Sequence, residues 1–576
     1  MKVKPLPIGV ENFEDMISNG YYYVDKTQMI RELWEKKGKV TLFTRPRRFG
    51  KTLSVSMLQY FFEDTQDEDT NRRNRALFTG LRVMECDSEL AGQMAQYPVI
   101  SLSLKSAKQP DFDLAYDCLL EEIAREYKRH QMILLNITTE EDKIRYQNMM
   151  NRKSSRSEAV TSLRFLSDCL YQVMGKKVII LIDEYDVPLE NSYFCGFYDR
   201  MSDFIRSLFE SALKTNPYLE FSVITGCLRI SKEAIFTGLN NLNVVSILSN
   251  QYDEYFGFSQ IETDALLEHY GLGYTKDMVK KWYDGYLFGR SEVYNPWSVI
   301  NFTAEAAAGG EDFGEAVSAG RISPKPYWSN TSSNSIVKDL IEHADMKLRE
   351  EIEQLIAGGT VVKQVHEDIT YNDIHETDDN LWNFLLFTGY LKKSGEQMVG
   401  SRTYVTMALP NMEVKYIYEN TILSWFDKKI QAKDLTPLYQ ALDQGDTDRM
   451  EAILTENLME TISFYDYAEN YYHGFLTGLL RGNKNYLIKS NRESGLGRPD
   501  LILRTPSIRG CARAFIIEIK TAHTFREMEA KCEEGIKQIL DMHYREELEE
   551  EGYKNICCYV ICFWKKETMV RGIPQM

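Results

Sequence analysis

Arg45-Pro-Arg-Arg-Phe-Gly-Lys-Thr52 sets a glycine, a lysine and a hydroxyl side by side between a β-rich run, Lys39-Val-Thr-Leu-Phe-Thr44, and an apolar helix-like run over 53–62. Strand, loop and helix in that order make a phosphate cradle. Loop amides and the positive end of the helix meet phosphate oxygens, Gly50 lets the backbone come close, Lys51 reaches the outer phosphates and the Thr52 hydroxyl holds magnesium. The pattern departs from the usual one at Arg45, which stands where a first glycine is expected. Arg45 is therefore expected to strain the turn or to cap the phosphates as a second cation, with Arg48 also in the nucleotide site.

A second group of chemical residues lies at the ends of two further apolar runs. Lys176-Lys-Val-Ile-Ile-Leu-Ile182 reads as the buried centre of a parallel sheet and ends in Asp183-Glu184-Tyr185-Asp186. Open α/β sheets bind ligands at the carboxyl ends of their strands. Asp183 is expected to hold the magnesium shell there, and Glu184 to polarise an attacking water. Leu219-Glu-Phe-Ser-Val-Ile-Thr225 ends at Thr225-Gly-Cys-Leu-Arg229, where Thr225 or Arg229 would sense a terminal phosphate. Tyr97–Ser103 reads as one more strand of the same sheet.

Near the other end, Gly497-Arg-Pro-Asp500 is followed by Phe515-Ile-Ile-Glu518-Ile-Lys520. Side chains alternate along a strand, so Glu518 and Lys520 share a face. Asp500 and Glu518 would each give magnesium a carboxylate, with the Ile519 carbonyl able to face the same ion, since magnesium favours hard oxygen ligands and keeps several waters. Lys520 would orient or deprotonate the attacking water. Gln538 lies on the helix that follows and would hydrogen-bond near the site. Glu469 and Glu493 compete for the place of a third acid.

The elements that must position these groups follow a readable order. The last section gives a helix over 468–481, strands over 486–489, 499–503 and 514–519, one long charged helix reaching about residue 549 and carrying Tyr544, and a closing strand over 556–563. The stretch 260–460 reads as mostly helical, with a helix-plus-hairpin unit over 381–409 that would suit a winged-helix module. Its aromatic clusters, Tyr255-Phe-Gly-Phe258, Trp282-Tyr-Asp-Gly-Tyr286, Tyr294-Asn-Pro-Trp297 and Tyr327-Trp328, are assigned to packing.

A chain of 576 residues exceeds one hydrophobic core, and 43% apolar and 27% charged residues fit a globular fold. A net charge of −17 opposes indiscriminate adhesion to nucleic acid while leaving room for a local basic groove. Ten cysteines without paired metal spacing fit reduced thiols. Neither a leader pattern nor an apolar run of membrane-spanning length is found, and a cytoplasmic setting is expected.

Residues 3–245 resemble the AAA-ATPase-like family of bacterial P-loop proteins, through Tyr23-Val-Asp-Lys-Thr27, the Arg45–Thr52 loop, Ile182-Asp-Glu-Tyr-Asp186 and Thr225-Gly-Cys-Leu-Arg-Ile-Ser-Lys232. The resemblance implies ATP binding, and the missing first glycine is usual in that family. Residues 465–565 resemble the PD-(D/E)XK nuclease superfamily, through Tyr472-His-Gly-Phe475, Gly497–Asp500, Ile517-Glu-Ile-Lys520 and the Gln538 helix. The expected fold is a multidomain α/β one: a P-loop NTPase parallel sheet with helices over 1–250, a mostly helical lid or linker over 251–460, and a restriction-endonuclease-like α/β domain over 461–576. The expected function is an ATP-regulated, magnesium-dependent nuclease acting on DNA more than RNA, foreign or mobile DNA among its targets, and able to form a homo-oligomer. The alternative is a nucleotide-dependent switch or assembly protein whose nuclease-like domain binds without cleaving.

Overall fold

Val40–Thr44 (β1) is buried along its whole length, as a strand covered on both faces must be. It sits in a five-stranded parallel sheet with Val99–Ser103 (β2), Val178–Asp183 (β3), Leu219–Gly226 (β4) and Leu242–Val245 (β5), in the order β2-β3-β4-β1-β5. The computed structural model describes residues 3–85, 88–214, 216–228, 235–236, 240–309, 324–328, 346–366, 377–420, 434–459, 469–481, 485–490, 499–506, 512–541 and 544–573.

The order of this sheet decides which chemical groups can meet. β4 lies between β1 and β3, and its register pairs Phe43 with Thr225 and Ile182 with Ile224. Thr225 therefore ends level with both the phosphate loop after β1 and Asp183 at the end of β3. The helix Lys51–Phe62 follows the loop directly and buries Val55, Met57, Leu58, Phe61 and Phe62.

Two compact units make up the chain: residues 1–332 with 360–417, and residues 333–359 with 418–576. The first thus extends well past the parallel sheet. Its helices Gln260–His269, Lys276–Tyr283 and Pro296–Ala308 bury Leu267, Val279, Tyr283 and Phe302 in a core of their own, beside the short hairpin of Tyr286–Phe288 (β6) and Ser291–Val293 (β7). The expected helix-plus-hairpin is present as the helix Asp378–Thr388 with Lys392–Val399 (β9) and Arg402–Ala408 (β10). Val361–Val365 (β8) completes a three-stranded antiparallel sheet there.

In the second unit a mixed sheet runs in sequence order through Leu487–Ser490 (β11), Leu501–Arg504 (β12), Arg513–Thr521 (β13), Asn555–Trp564 (β14) and Glu567–Ile573 (β15). One face carries Leu501, Leu503, Phe515, Ile517 and Ile519 against the helices Thr436–Gln444, Thr447–Met459 and Glu469–Arg481. The other carries Ile502, Ala514, Ile516 and Val560 against the helix Met528–Asp541. Helix is described over Met528–Asp541 and Tyr544–Glu550, within the expected charged helix. One expectation needs correction: the chain does not close on β14, because β15 turns back antiparallel to it and covers its edge.

Candidate functional site

Two constellations form, one in each compact unit. In the first, the loop after β1 is held at both ends. The Arg45 amide donates to the Gly226 carbonyl (3.0 Å), and Gly50 caps the following helix in the left-handed region at φ 84°, which glycine adopts without a Cβ penalty. Lys51 is buried, its Nζ donating to the carbonyls of Arg45 and Pro46 (both 2.9 Å). Thr52 Oγ1 donates to Asp183 Oδ2 (2.7 Å), and the Thr225 hydroxyl donates to Asp183 Oδ1. Thr52, Asp183 and Thr225 thus form one hydroxyl–carboxylate cluster beside the loop, with Asp183 and Thr225 buried.

Glu184 has φ 52°, a left-handed conformation that costs a non-glycine residue energy and is common where a side chain must be aimed. Thr225 holds it there: its hydroxyl accepts from the Glu184 amide (3.3 Å) and its carbonyl from the Tyr185 amide (3.0 Å). Burial raises the Glu184 carboxyl above the ordinary value, and the Asp183 carboxylate adds to the rise. Asp186 is spent on structure, accepting from the amides of Cys227 (2.7 Å) and Leu228 (3.1 Å).

Arg45 corrects both expectations made of it. It has no left-handed backbone, and its fully buried guanidinium donates to the carbonyls of Thr44 (3.0 Å), Val245 (2.9 Å) and Tyr252 (3.5 Å). It also stacks over the rings of Phe256 and Phe288. Burial lowers its pKa to about 9, which leaves it charged near neutrality. Arg45 therefore pins the base of the loop to β5 and to the chain beyond it, and its charge is consumed before it can reach a phosphate. Arg48, at φ 71°, does line the cavity above the loop, its guanidinium 4.2 Å from the centre of the Trp297 ring. Arg229 lies outside the described residues.

That cavity measures about 330 Å³ and is lined by Arg48–Ser54 and Glu184 together with Tyr22, Tyr255, Phe258 and Trp297. The sequence reading assigned three of these rings, Tyr255, Phe258 and Trp297, to packing. Nothing in their spacing separates a ring on a cavity wall from one in a core, so only the fold could reveal them.

In the second unit the antiparallel register sets Leu501 opposite Ile517, which brings Asp500 level with Glu518 one step on. Asp500 Oδ2 accepts from the Ile519 amide (2.7 Å). Lys520 Nζ donates to Glu518 Oε1 (2.9 Å) and to Gln538 Oε1 (2.7 Å). Asp500, Glu518, Lys520 and Gln538, spread over 39 positions of sequence, thus meet at one end of the β12–β13 pair. Burial raises the Asp500 carboxyl, opposed by the Ile519 amide, Lys520 and His473.

Gly535 explains how Gln538 arrives. A Cβ at that position would lie 2.6 Å from Val560 Cγ1 and 3.4 Å from Lys520 Cγ, so only glycine lets the helix approach the strand this closely. His473 is a contact that the sequence reading left without a role. Its Nε2 donates to the Asp500 carbonyl oxygen (3.1 Å), anchoring the backbone that bears the acid. Glu469 opens the helix Glu469–Arg481, but its side chain, like all of Glu493, lies outside the described residues.

The donor sets suit magnesium at both places. The donors at both places are hydroxyl and carboxylate oxygens, the hard ligands that magnesium accepts. Thr52 with Asp183, and Asp500 with Glu518, are the residues that would hold it.

The comparisons agree with this division. A family model described as Predicted AAA-ATPase matches residues 7–236, and one described as PD-(D/E)XK nuclease superfamily matches residues 467–572. An uncharacterized protein in the vnfD 5' region of Azotobacter chroococcum mcd 1 is 25% identical over 431 residues, which span 73% of this chain and 70% of that protein.

Proposed function

We propose that this chain, which carries a predicted AAA-ATPase-like domain followed by a domain of the PD-(D/E)XK nuclease superfamily, is an ATP-regulated, magnesium-dependent nuclease that cuts DNA. The observation that carries the reading is the convergence of Asp500, Glu518, Lys520 and Gln538 at the end of one strand pair.

Magnesium, when bound, would supply the positive charge that polarises the scissile phosphate and acidifies water. The residues do the rest. Gln538 holds the Lys520 side chain at one point, so that as the ammonium it can orient a water toward the phosphate, or as the neutral amine take that water's proton. Asp500 and Glu518 would hold the ion; the Ile519 amide and His473 fix Asp500 from two sides. In the first unit Lys51 would exchange the carbonyls of Arg45 and Pro46 for phosphate oxygens, and Glu184 would accept a proton from the water that attacks the terminal phosphate. A raised carboxyl serves that base role better than an ordinary one.

Among the described residues no helix is long and apolar enough to cross a membrane. The test is magnesium-dependent cleavage of supercoiled DNA, linear DNA and RNA, with and without ATP, for the wild type and for Glu518→Ala. Cleavage of DNA that is lost in the variant is expected; no cleavage of any substrate, with ATP binding retained, would replace this reading by a nucleotide-driven switch.

A further inference from the structure

The cavity above the phosphate loop has a second, aromatic wall that comes from beyond residue 236. Tyr255, Phe258, Pro296, Trp297 and Ile300 line it, all C-terminal to residue 236, where the match to that domain ends. Each is held by its own element. Phe258 is bridged to Tyr294 by backbone hydrogen bonds in both directions (3.2 and 2.7 Å). Trp297 stands in the first turn of the helix Pro296–Ala308, where Asn295 Oδ1 accepts from its amide (3.0 Å) and from that of Ser298 (3.4 Å), and the indole Nε1 donates to the Tyr327 carbonyl (3.3 Å). From the N-terminal side Tyr22 lines the same cavity, its ring packed against His269 and Tyr270 with centroids 5.0 and 5.8 Å apart.

These rings are therefore pre-set rather than mobile, and they need a purpose beyond core packing, because they border open space. Charge balance narrows what could fill it. The phosphate loop claims the anionic part of a ligand, while on the aromatic side the Lys26 ammonium is already engaged by Glu262 Oε2 and the Glu254 carbonyl (both 2.7 Å). What remains is a flat, uncharged group joined to phosphates. A volume of about 330 Å³ lies at the small end of ligand sites and would hold a base and sugar, with the phosphates at the loop.

We infer that the segment 255–300 supplies the nucleobase subsite, with Trp297 as the stacking platform for the base of a nucleoside triphosphate whose phosphates lie on the Arg45–Thr52 loop. The inference rests on the nucleotide-binding reading above and adds to it a base subsite beyond the residues matched by the ATPase-like model. It also makes the helix Pro296–Ala308 a part of nucleotide binding. Because Arg48 stacks on the same indole, a competing role for Trp297 is merely to hold that arginine for the phosphates.

Calorimetric titration of the full chain with a non-hydrolysable ATP analogue and, separately, with inorganic tripolyphosphate distinguishes the two, using wild type, Trp297→Ala and Trp297→Phe. Base stacking predicts that Trp297→Ala weakens the ATP analogue by about tenfold or more while tripolyphosphate is unchanged, and that Trp297→Phe, which keeps a ring, recovers most of the loss. Equal weakening of both ligands would give Trp297 the arginine-holding role and overturn the inference, as would unchanged affinity for the analogue. Wild type that binds tripolyphosphate as tightly as the analogue would overturn the base subsite and leave the phosphate loop standing. Binding of neither ligand by the wild type would overturn the nucleotide reading itself. The thermal midpoint of Trp297→Phe, expected within a few degrees of wild type, guards against loss of folding.

Discussion

Lys520 is paired on both sides, by the Glu518 carboxylate and the Gln538 amide oxygen, and that double tether is what separates it from an ordinary strand lysine. Lys520→Ala is expected to lower DNA cleavage by at least about 10²-fold, the usual range for a positioned proton-transfer group, while affinity for the ATP analogue stays unchanged. Gln538→Ala should cost less, because the amide acts only through the lysine. The steady-state cleavage rates of the two variants, measured side by side, check that ranking, and an equal loss in both would count against it. Asp500, Glu518, Lys520 and Gln538 were legible as candidates because residue type and strand alternation already carry their chemistry. Arg45 misled for the opposite reason: a cation in a phosphate loop looks like a phosphate ligand until its carbonyl partners, 200 residues and more downstream, are known.

At the scale of elements, two glycines set how close neighbours come. Gly535→Leu should push the helix Met528–Asp541 off β13 and β14, since even a Cβ would stand 2.6 Å from Val560. The expected result is loss of cleavage with nucleotide binding intact, and a destabilisation of about 1–3 kcal/mol in chemical denaturation, typical of overpacking. Gly226 plays the same part at the end of β4, where a Cβ would lie 2.5 Å from the Tyr185 ring and 2.9 Å from Asp186 Oδ1. Another inter-element contact is electrostatic. Glu413, on the helix 412–420, accepts from the Ser298 hydroxyl on both oxygens (2.9 and 2.8 Å) and from the Trp328 amide (2.8 Å). The phenols of Tyr283, Tyr286 and Tyr327 surround it. Burial raises its pKa to about 8, against the pull of those hydrogen bonds. The folded chain thus keeps a proton that the unfolded chain releases near its ordinary value. Stability from this group is full below that value and drains as pH rises to about 8. Glu413→Gln should therefore flatten, without abolishing, the fall in thermal midpoint across that window, as followed by scanning calorimetry.

For the whole molecule the question is whether nucleotide occupancy controls cutting. If it does, ATP changes the cleavage rate of the wild type, and Lys51→Ala cleaves at a rate that ATP no longer alters. Titrating ATP into a cleavage assay of both proteins measures this, and an identical ATP response in the two would end the coupled reading. The net charge of −17 adds a condition. With few phosphate contacts available to an acidic surface, DNA binding should weaken only shallowly as salt is raised, because the slope scales with the number of those contacts, which a filter-binding series at increasing ionic strength would record.

Residue type and periodicity alone determined that this chain would hold a parallel sheet with a phosphate loop and, separately, a strand bearing Glu518 and Lys520. Those signals are local, because a strand-loop-helix or an alternating strand is written within about ten residues. Tertiary structure alone decided that Arg45 turns inward, that His473 reaches Asp500 and that Trp297 lines the cavity over the phosphate loop. Each of these depends on a partner far away in sequence. A side chain's burial and its neighbours are properties of the packed fold, and aromatic residues in particular look the same in a sequence whether they fill a core or border a cavity.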